Sequence, residues 1–154
     1  MVAYSYKKRF VNPIRVGLGI VPVTPKIIDD PDAPMGYRIG PEIRPKRQTI
    51  RADRKRHARV GEEIQHYCGM RTKHCFLIGR ARCVSVLPVV LHFIAWGSAI
   101  VGSGKVAENC YYDERLHLFA QADGFDRWED MKAFWREEHP GVDKFEGVLI
   151  RWEP

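Results

Sequence analysis

The sequence predicts a small α+β domain, on three observations. Short stretches with strand-like alternation recur along the chain, one strongly amphipathic helix sits near the C-terminus, and 154 residues suit a single core. No internal repeat is visible, so one domain spanning 1–154 is expected.

Taken in order, Ala3–Phe10 alternates and then turns basic at Lys7-Lys8-Arg9, which suits a first strand. Phe10–Gly17 fits a short helix or a turn closed by glycine. Residues 18–43 hold five of the ten prolines, the run Asp29-Asp30-Pro31-Asp32, and Gly36 and Gly40. They predict a long irregular, proline-rich insertion. Gln48–Arg51 is β-prone. Glu62–Cys68 alternates, with Ile64, His66 and Cys68 on one face. After the turn Gly69-Met70-Arg71-Thr72, Cys75–Leu87 is a strand whose Gly79 and Ala81 suggest close packing or a bend. Val89–Ile94 and Ser98–Val101 are further strands. Arg127–Glu138 carries Trp128, Met131, Phe134 and Trp135 along one stripe, with Asp126 and Glu129 spaced as a capping box and Pro140-Gly141 as the stop. Phe145–Trp152 closes the chain as a strand.

Charge is strongly polarised. Residues 1–105 hold 19 Lys/Arg against 7 Asp/Glu, whereas residues 106–154 hold 6 against 12, giving +12 and −6 within a total of +6. Eight of the basic residues lie in Pro41–Val60, a cluster that attracts polyanions in a salt-sensitive way. The four cysteines (Cys68, Cys75, Cys83, Cys110) show no framework spacing, and the first residues lack an apolar leader. A reduced, cytoplasmic setting is the expectation. Val86–Gly102 contains no charged residue, but Pro88, His92, Gly97 and Ser98 interrupt it, so two buried strands are expected and no membrane association.

Certain blocks occur in a telling order: Pro45-Lys46-Arg47-Gln48-Thr49-Ile50-Arg51, then Arg54–Gly61, Tyr67–Thr72, Phe119-Ala120-Gln121-Ala122-Asp123-Gly124-Phe125, the late helix, and Phe145-Glu146-Gly147. This succession resembles the ASCH family of the PUA-like superfamily, in its bacterial and phage-type members, from about Tyr4 to Trp152. The resemblance implies a small PUA-like β-barrel with flanking short helices and a cleft between barrel and helix. Members are associated with RNA; ribonuclease activity has been attributed to one. A small bacterial branch is an amidohydrolase that removes the acetyl group of N4-acetylcytidine. In that branch the key residues are a lysine, a threonine three positions on, and a distant glutamate. Lys46 and Thr49 match the first two, Arg51 matches the arginine that follows, and Asp123 aligns with the glutamate, shorter by one methylene.

Amide hydrolysis needs an activated nucleophile and donors for the oxyanion. Lys46 suits a base if burial and neighbouring cations lower its pKa; Thr49 suits a nucleophile or donor, and Asp123 a lysine-orienting or proton-shuttling group. Without chemistry, the same basic residues suit phosphate binding, and Lys46, Arg47, Arg51, Arg54 and Arg56 are the candidate anion contacts. Tyr67, Arg71 and Trp96 are candidates for stacking on a base. His66, Cys68, His74 and Cys75 lie close together, but adjacent His74 and Cys75 point apart on a strand, so buried reduced cysteines are expected and no metal or other cofactor. Three functions follow: an RNA- or nucleotide-binding module with a basic cleft; an amidohydrolase of acetylated cytidine-type nucleosides using Lys46, Thr49 and Asp123; and an accessory domain whose acidic C-terminal part or 18–43 insertion engages a protein partner.

Overall fold

The protein was analysed as a computed structural model that describes residues 1–102, the backbone of 109–111, and 114–154. The side chain of Cys110 lies outside the described atoms. The fold is α+β: most strands join one seven-stranded sheet, and three short α-helices and a two-stranded hairpin flank it.

Strand β1 (Val2–Tyr6) leads through a 3₁₀ turn at Lys8–Phe10 into helix α1 (Val11–Gly17). The hairpin follows as β2 (Pro25–Asp29) and β3 (Tyr37–Glu42), then β4 (Gln48–Arg51), β5 (Glu63–Cys68), β6 (Phe76–His92), β7 (Ser98–Val101) and β8 (Asn109–Tyr111). Helices α2 (Glu114–Ala122) and α3 (Trp128–Glu138) precede the last strand, β9 (Lys144–Glu153). In the sheet β1 pairs in parallel with β5, and β5, β6, β7 and β8 follow in antiparallel order. On the other edge of β6 lies β9, which in turn carries β4.

The predicted strands at 75–87 and 89–94 are one continuous strand, β6. It is not broken at Pro88 because of where the missing N–H falls. The Pro88 carbonyl accepts from the Gly102 amide at 2.9 Å, so the proline nitrogen faces the β7 edge, where the ladder begins only at Val89. A register shift between Cys83 and Ser85 bends β6, letting its first half pair with β5 and its last part with β7.

Residues 18–43 differ from the irregular insertion expected of them. Both strands of the isolated hairpin are edges, so Pro25 at the start of β2 and Pro41 within β3 remove no central ladder bond. The acidic run forms the turn, with Asp30 donating to the Gly36 carbonyl at 3.0 Å. The Lys26–Asp126 ion pair at 2.6 Å ties the hairpin to the α2–α3 junction.

Helix α3 docks its predicted stripe: Trp128, Met131 and Trp135 are buried and Phe134 is half-buried. Trp128 and Trp135 flank the buried Phe93 ring at centroid distances of 5.9 and 5.7 Å, and the Trp128 indole N–H donates to the Trp96 carbonyl at 2.8 Å. The cap lies one residue later than expected: Asp130 accepts from the Arg127 amide at 3.1 Å, in place of the Asp126–Glu129 pairing. Residues 86–102 form the end of β6, a turn and β7, and no described helix is long and apolar enough to cross a membrane.

Gly17 ends α1 against the segment leading into β4. A Cβ there would lie 2.2 Å from the Lys46 carbonyl oxygen, backbone that cannot rotate away. Alanine gains about 1 kcal/mol of helix propensity over glycine, whereas overpacking costs about 1–3 kcal/mol. Because the contacting atom is backbone, Gly17→Ala is expected to lower the urea midpoint, net by up to about 2 kcal/mol. A raised midpoint would show that the contact is relieved at no cost.

Candidate active site

The segment before β4 is held on several sides. The Lys46 amide donates to the Pro13 carbonyl (2.8 Å), that of Arg47 to Ala122 (3.0 Å), and that of Trp152 to the Arg47 carbonyl (3.1 Å). The Gln48 side-chain amide donates to the Phe119 carbonyl at 3.0 Å. These bonds turn the Lys46 side chain inward, where it is 2% exposed. Its Nζ donates to the Asp123 carbonyl at 2.8 Å and to the Asp123 carboxylate, and lies 4.6 Å from the centre of the Phe10 ring. Asp123, itself buried, follows the last turn of α2, and Gly124 redirects the chain at φ +86°. A Cβ on Gly124 would be 3.1 Å from that of Lys46, so glycine also makes room for the lysine stem.

Thr49 and Arg51, two apart on β4, share the face that looks the same way as the lysine. Together with Lys46 and Asp123 they form the floor of a cleft of about 1360 Å³. Its walls come from Tyr6–Phe10, the β5–β6 turn with His74–Phe76, and the C-terminal half of α3 with Phe134, Trp135 and Glu138. Four residues 77 positions apart at the extremes thus line one cleft.

Burial dominates the electrostatics. It pushes the Lys46 ammonium below its ordinary pKa; Asp123 opposes the shift, and Arg51 and Arg9 reinforce it. Burial likewise raises the Asp123 carboxyl, against the pull of Lys46 and Arg51. Burial thus drives the two pKa values towards each other.

Beside the pair, Tyr6 is also buried, and burial pushes its hydroxyl up while Arg51 and Thr49 act on the same oxygen. The phenol therefore stays protonated. Arg51 donates to the Ser5 carbonyl at 2.8 Å and lies over the Tyr4 and Tyr6 rings at 5.4 and 4.8 Å. The fully buried His66 shares a hydrogen bond with the Tyr6 hydroxyl through Nδ1 at 3.0 Å and packs on Trp152, while its Nε2 has no hydrogen-bond partner among the described residues. Burial first, then Lys46 and Arg51, holds its pKa down to about 3.

The other expected contacts lie elsewhere, and none of them lines the cleft. Arg47 reaches back to the Gly17 carbonyl at 3.2 Å. Arg54 and Arg56 are exposed between β4 and β5, the first over the Tyr4 ring at 5.0 Å and donating to the Arg56 carbonyl, the second paired with Glu62 at 2.6 Å. The Tyr67 hydroxyl donates to Gln65 at 3.2 Å, Arg71 sits in an exposed turn at φ 71°, and Trp96 is 83% exposed on the far turn. Cys68 and Cys83 are buried, but Cys75 is exposed on the cleft wall, contrary to the expectation for it, because β6 starts only at Phe76. The sequence reading missed Tyr6, Arg9 and Phe10 as cleft residues; the basic turn at 7–9 was visible, but its position over Lys46 was not.

Removing one partner of a buried ion pair strands the other. Asp123→Ala is expected to cost about 3–5 kcal/mol in urea unfolding, and Lys46→Met with Asp123→Leu together much less than the sum of the singles. Additive losses would show that the two groups do not depend on each other. His66 makes a separate pH prediction. The unfolded chain takes up its proton near the ordinary 6.5 and the folded chain only near 3, so between these values the unfolded state binds more protons. Stability is expected to fall as pH drops through that window, by up to about 5 kcal/mol from this group. His66→Gln should flatten the fall between pH 7 and 4; parallel curves for the two proteins would refute the assignment. No family model, curated protein or solved structure matches the chain, so its chemistry rests on these side chains.

Proposed function

We propose that the chain is an amidohydrolase of the ASCH type, with a PUA-like fold, that removes the acetyl group from N4-acetylcytidine-type nucleosides. The observation that carries the reading is the Lys46 amine seated on Asp123 in the floor of a cleft that Thr49 and Arg51 also line.

In this reading Lys46 in its neutral form accepts the Thr49 hydroxyl proton as the threonine oxygen attacks the acetyl carbonyl. The carbonyl π electrons move onto oxygen, and the Arg51 guanidinium, which lines the same cleft, is the donor assigned to the resulting oxyanion. Collapse of the tetrahedral species breaks the C–N bond, and the Lys46 ammonium returns its proton to the departing N4 amine. Cytidine leaves, and threonine holds the acetyl group as an ester. Water, giving up a proton to the same amine, then attacks the ester; the C–O bond to threonine breaks, the proton passes from the amine to the threonine oxygen, and acetic acid leaves and ionises in bulk water. Asp123 fixes the amine and balances the charge that appears on it twice per cycle. An aspartate serves here although a glutamate stands at this place in the family, because α2 brings the Asp123 backbone close enough for both its carbonyl and its carboxylate to touch Nζ.

A second reading, an RNA-binding module without chemistry, is favoured by the exposed Arg54, Lys55, Arg56 and Arg59 between β4 and β5. It is distinguished by salt-sensitive RNA binding without turnover. For the enzyme, purified protein is expected to form cytidine from N4-acetylcytidine, and Lys46→Ala to reduce the rate by about 100-fold or more. Turnover undiminished in Lys46→Ala, or absent from the intact protein, ends this reading.

A further inference from the structure

Hydrolysing a neutral nucleoside requires no positive charge at the rim of the cleft, yet the rim is charged. Among the Lys, Arg, Asp and Glu residues that line the whole cleft are five cations (Lys7, Lys8, Arg9, Lys46, Arg51) and two carboxylates (Asp123, Glu138). Each carboxylate is taken by a lysine: Lys46 holds Asp123, and Lys7 holds Glu138 across the cleft mouth. Lys8, Arg9 and Arg51 are left without an acidic partner among the described residues. Arg9 is held in place by packing alone, its guanidinium 4.9–5.4 Å from the centres of the Phe10, Phe125 and Phe134 rings. Such stacking fixes the plane of the fork and leaves its N–H groups free to meet an oxyanion.

We infer that the ligand of this cleft is phosphorylated: an acylated pyrimidine nucleotide whose base reaches Lys46 and Thr49 and whose phosphate lies against Lys8 and Arg9. The inference rests on the proposed reaction for the identity of the base, but its own ground is the surplus of positive charge. The two ends are spatially ordered. Lys8 and Arg9 belong to the turn at the cleft mouth, whereas Lys46 and Asp123 are buried at its floor. Arg9 is also near enough to Lys46 to depress its pKa, so mouth and floor are parts of one site. A phosphomonoester and the phosphodiester of an RNA strand offer the same oxygens to these cations. The experiment separates them.

Rates are compared for N4-acetylcytidine, its 5′-monophosphate, and a short single-stranded oligoribonucleotide containing the same base. Binding of cytidine and cytidine 5′-monophosphate is measured in parallel by calorimetry. The phosphorylated substrate is expected to have a kcat/KM about 10- to 100-fold above the nucleoside, expressed in KM and eroded by salt. Lys8→Ala and Arg9→Gln should each bring the ratio of the two substrates towards one, while Arg38→Ala, which removes an equal charge on the hairpin, leaves the ratio as it was. Preference for the oligoribonucleotide over the monophosphate assigns the cations to a phosphodiester, and the reverse assigns them to a free phosphate; either supports the inference. If nothing is hydrolysed but the monophosphate binds more tightly than cytidine through Lys8 and Arg9, the phosphate site stands and the reaction falls. Equal rates for nucleoside and nucleotide, or equal binding, with no response to salt, would overturn the inference while leaving the hydrolase intact.

Discussion

The contact between the Lys46 amine and Asp123 organises everything around it. An ion pair taken out of water is a poor source of stability, because the desolvation of both charges offsets most of their attraction. What such a pair does supply is a requirement: either partner alone in that place is costly, so the segments carrying them must meet. Here one segment leads into β4 and the other ends α2, and they are joined by the Arg47–Ala122 and Gln48–Phe119 hydrogen bonds as well. The pair fixes where β4 enters the sheet, hence where Thr49 and Arg51 face, and through β9 the position of the strand beside the long β6.

Three glycines show how tightly the chain is drawn around this point. Gly17 abuts the Lys46 carbonyl, Gly124 the Lys46 stem, and Gly147 on β9 would put a Cβ 2.3 Å from the Arg51 carbonyl. They lie on α1, in the turn after α2 and on β9, and each brings its backbone within van der Waals reach of Lys46 or Arg51. A catalytic group is useful only if it is held to a fraction of an ångström. Backbone packed on backbone is the most rigid way to do this, since no rotamer is available to absorb a shift. The aromatic shell serves the same end: Phe10 lies under the amine, Tyr4 and Tyr6 under the guanidinium.

Local pattern was enough for the elements whose signals are local. The stripe at 128–135 and the alternating segment 63–68 appear where periodicity put them, and the β-prone segment 48–51 is a strand although Gln48, Thr49 and Ile50 are all buried. The hairpin at 25–42 was misread because its strands bury neither face well, and its prolines look like breakers until both strands are seen to be edges. Helix α2 was passed over although Leu116, Phe119 and Ala120 stand at i, i+3 and i+4; one and a half turns of pattern is little to find beside a motif already claimed for its Asp123. In the site, the resemblance marked Lys46, Thr49 and Asp123, but nothing in the sequence itself puts residue 46 next to 123. That proximity is made by β4 pairing with β9 and by α2 lying over it, contacts between distant parts of the chain. The charge run at 54–59, which dominated the composition, is exposed and lies outside the cleft, whereas the shorter run at 7–9 lines it. Density of charge along a chain says little about which charges converge.

The same cations enter both halves of the proposed chemistry, and the halves pull in opposite directions. Arg9 and Arg51 lower the pKa of Lys46 and so favour the neutral amine that accepts a proton. A phosphate docked on Lys8 and Arg9 neutralises part of that field and on its own would restore the ammonium. Two features limit the loss. Arg51, at the floor and stacked on Tyr4 and Tyr6, is out of the way of a ligand held at the mouth and keeps acting on the amine. The ligand also displaces water from the cleft, which deepens the desolvation that is already the largest cause of the shift. Substrate binding thus exchanges an electrostatic contribution for a desolvation contribution of the same sign. A mouth that holds the anion and a buried floor that holds the base can therefore work together only because they are separated by the depth of the cleft.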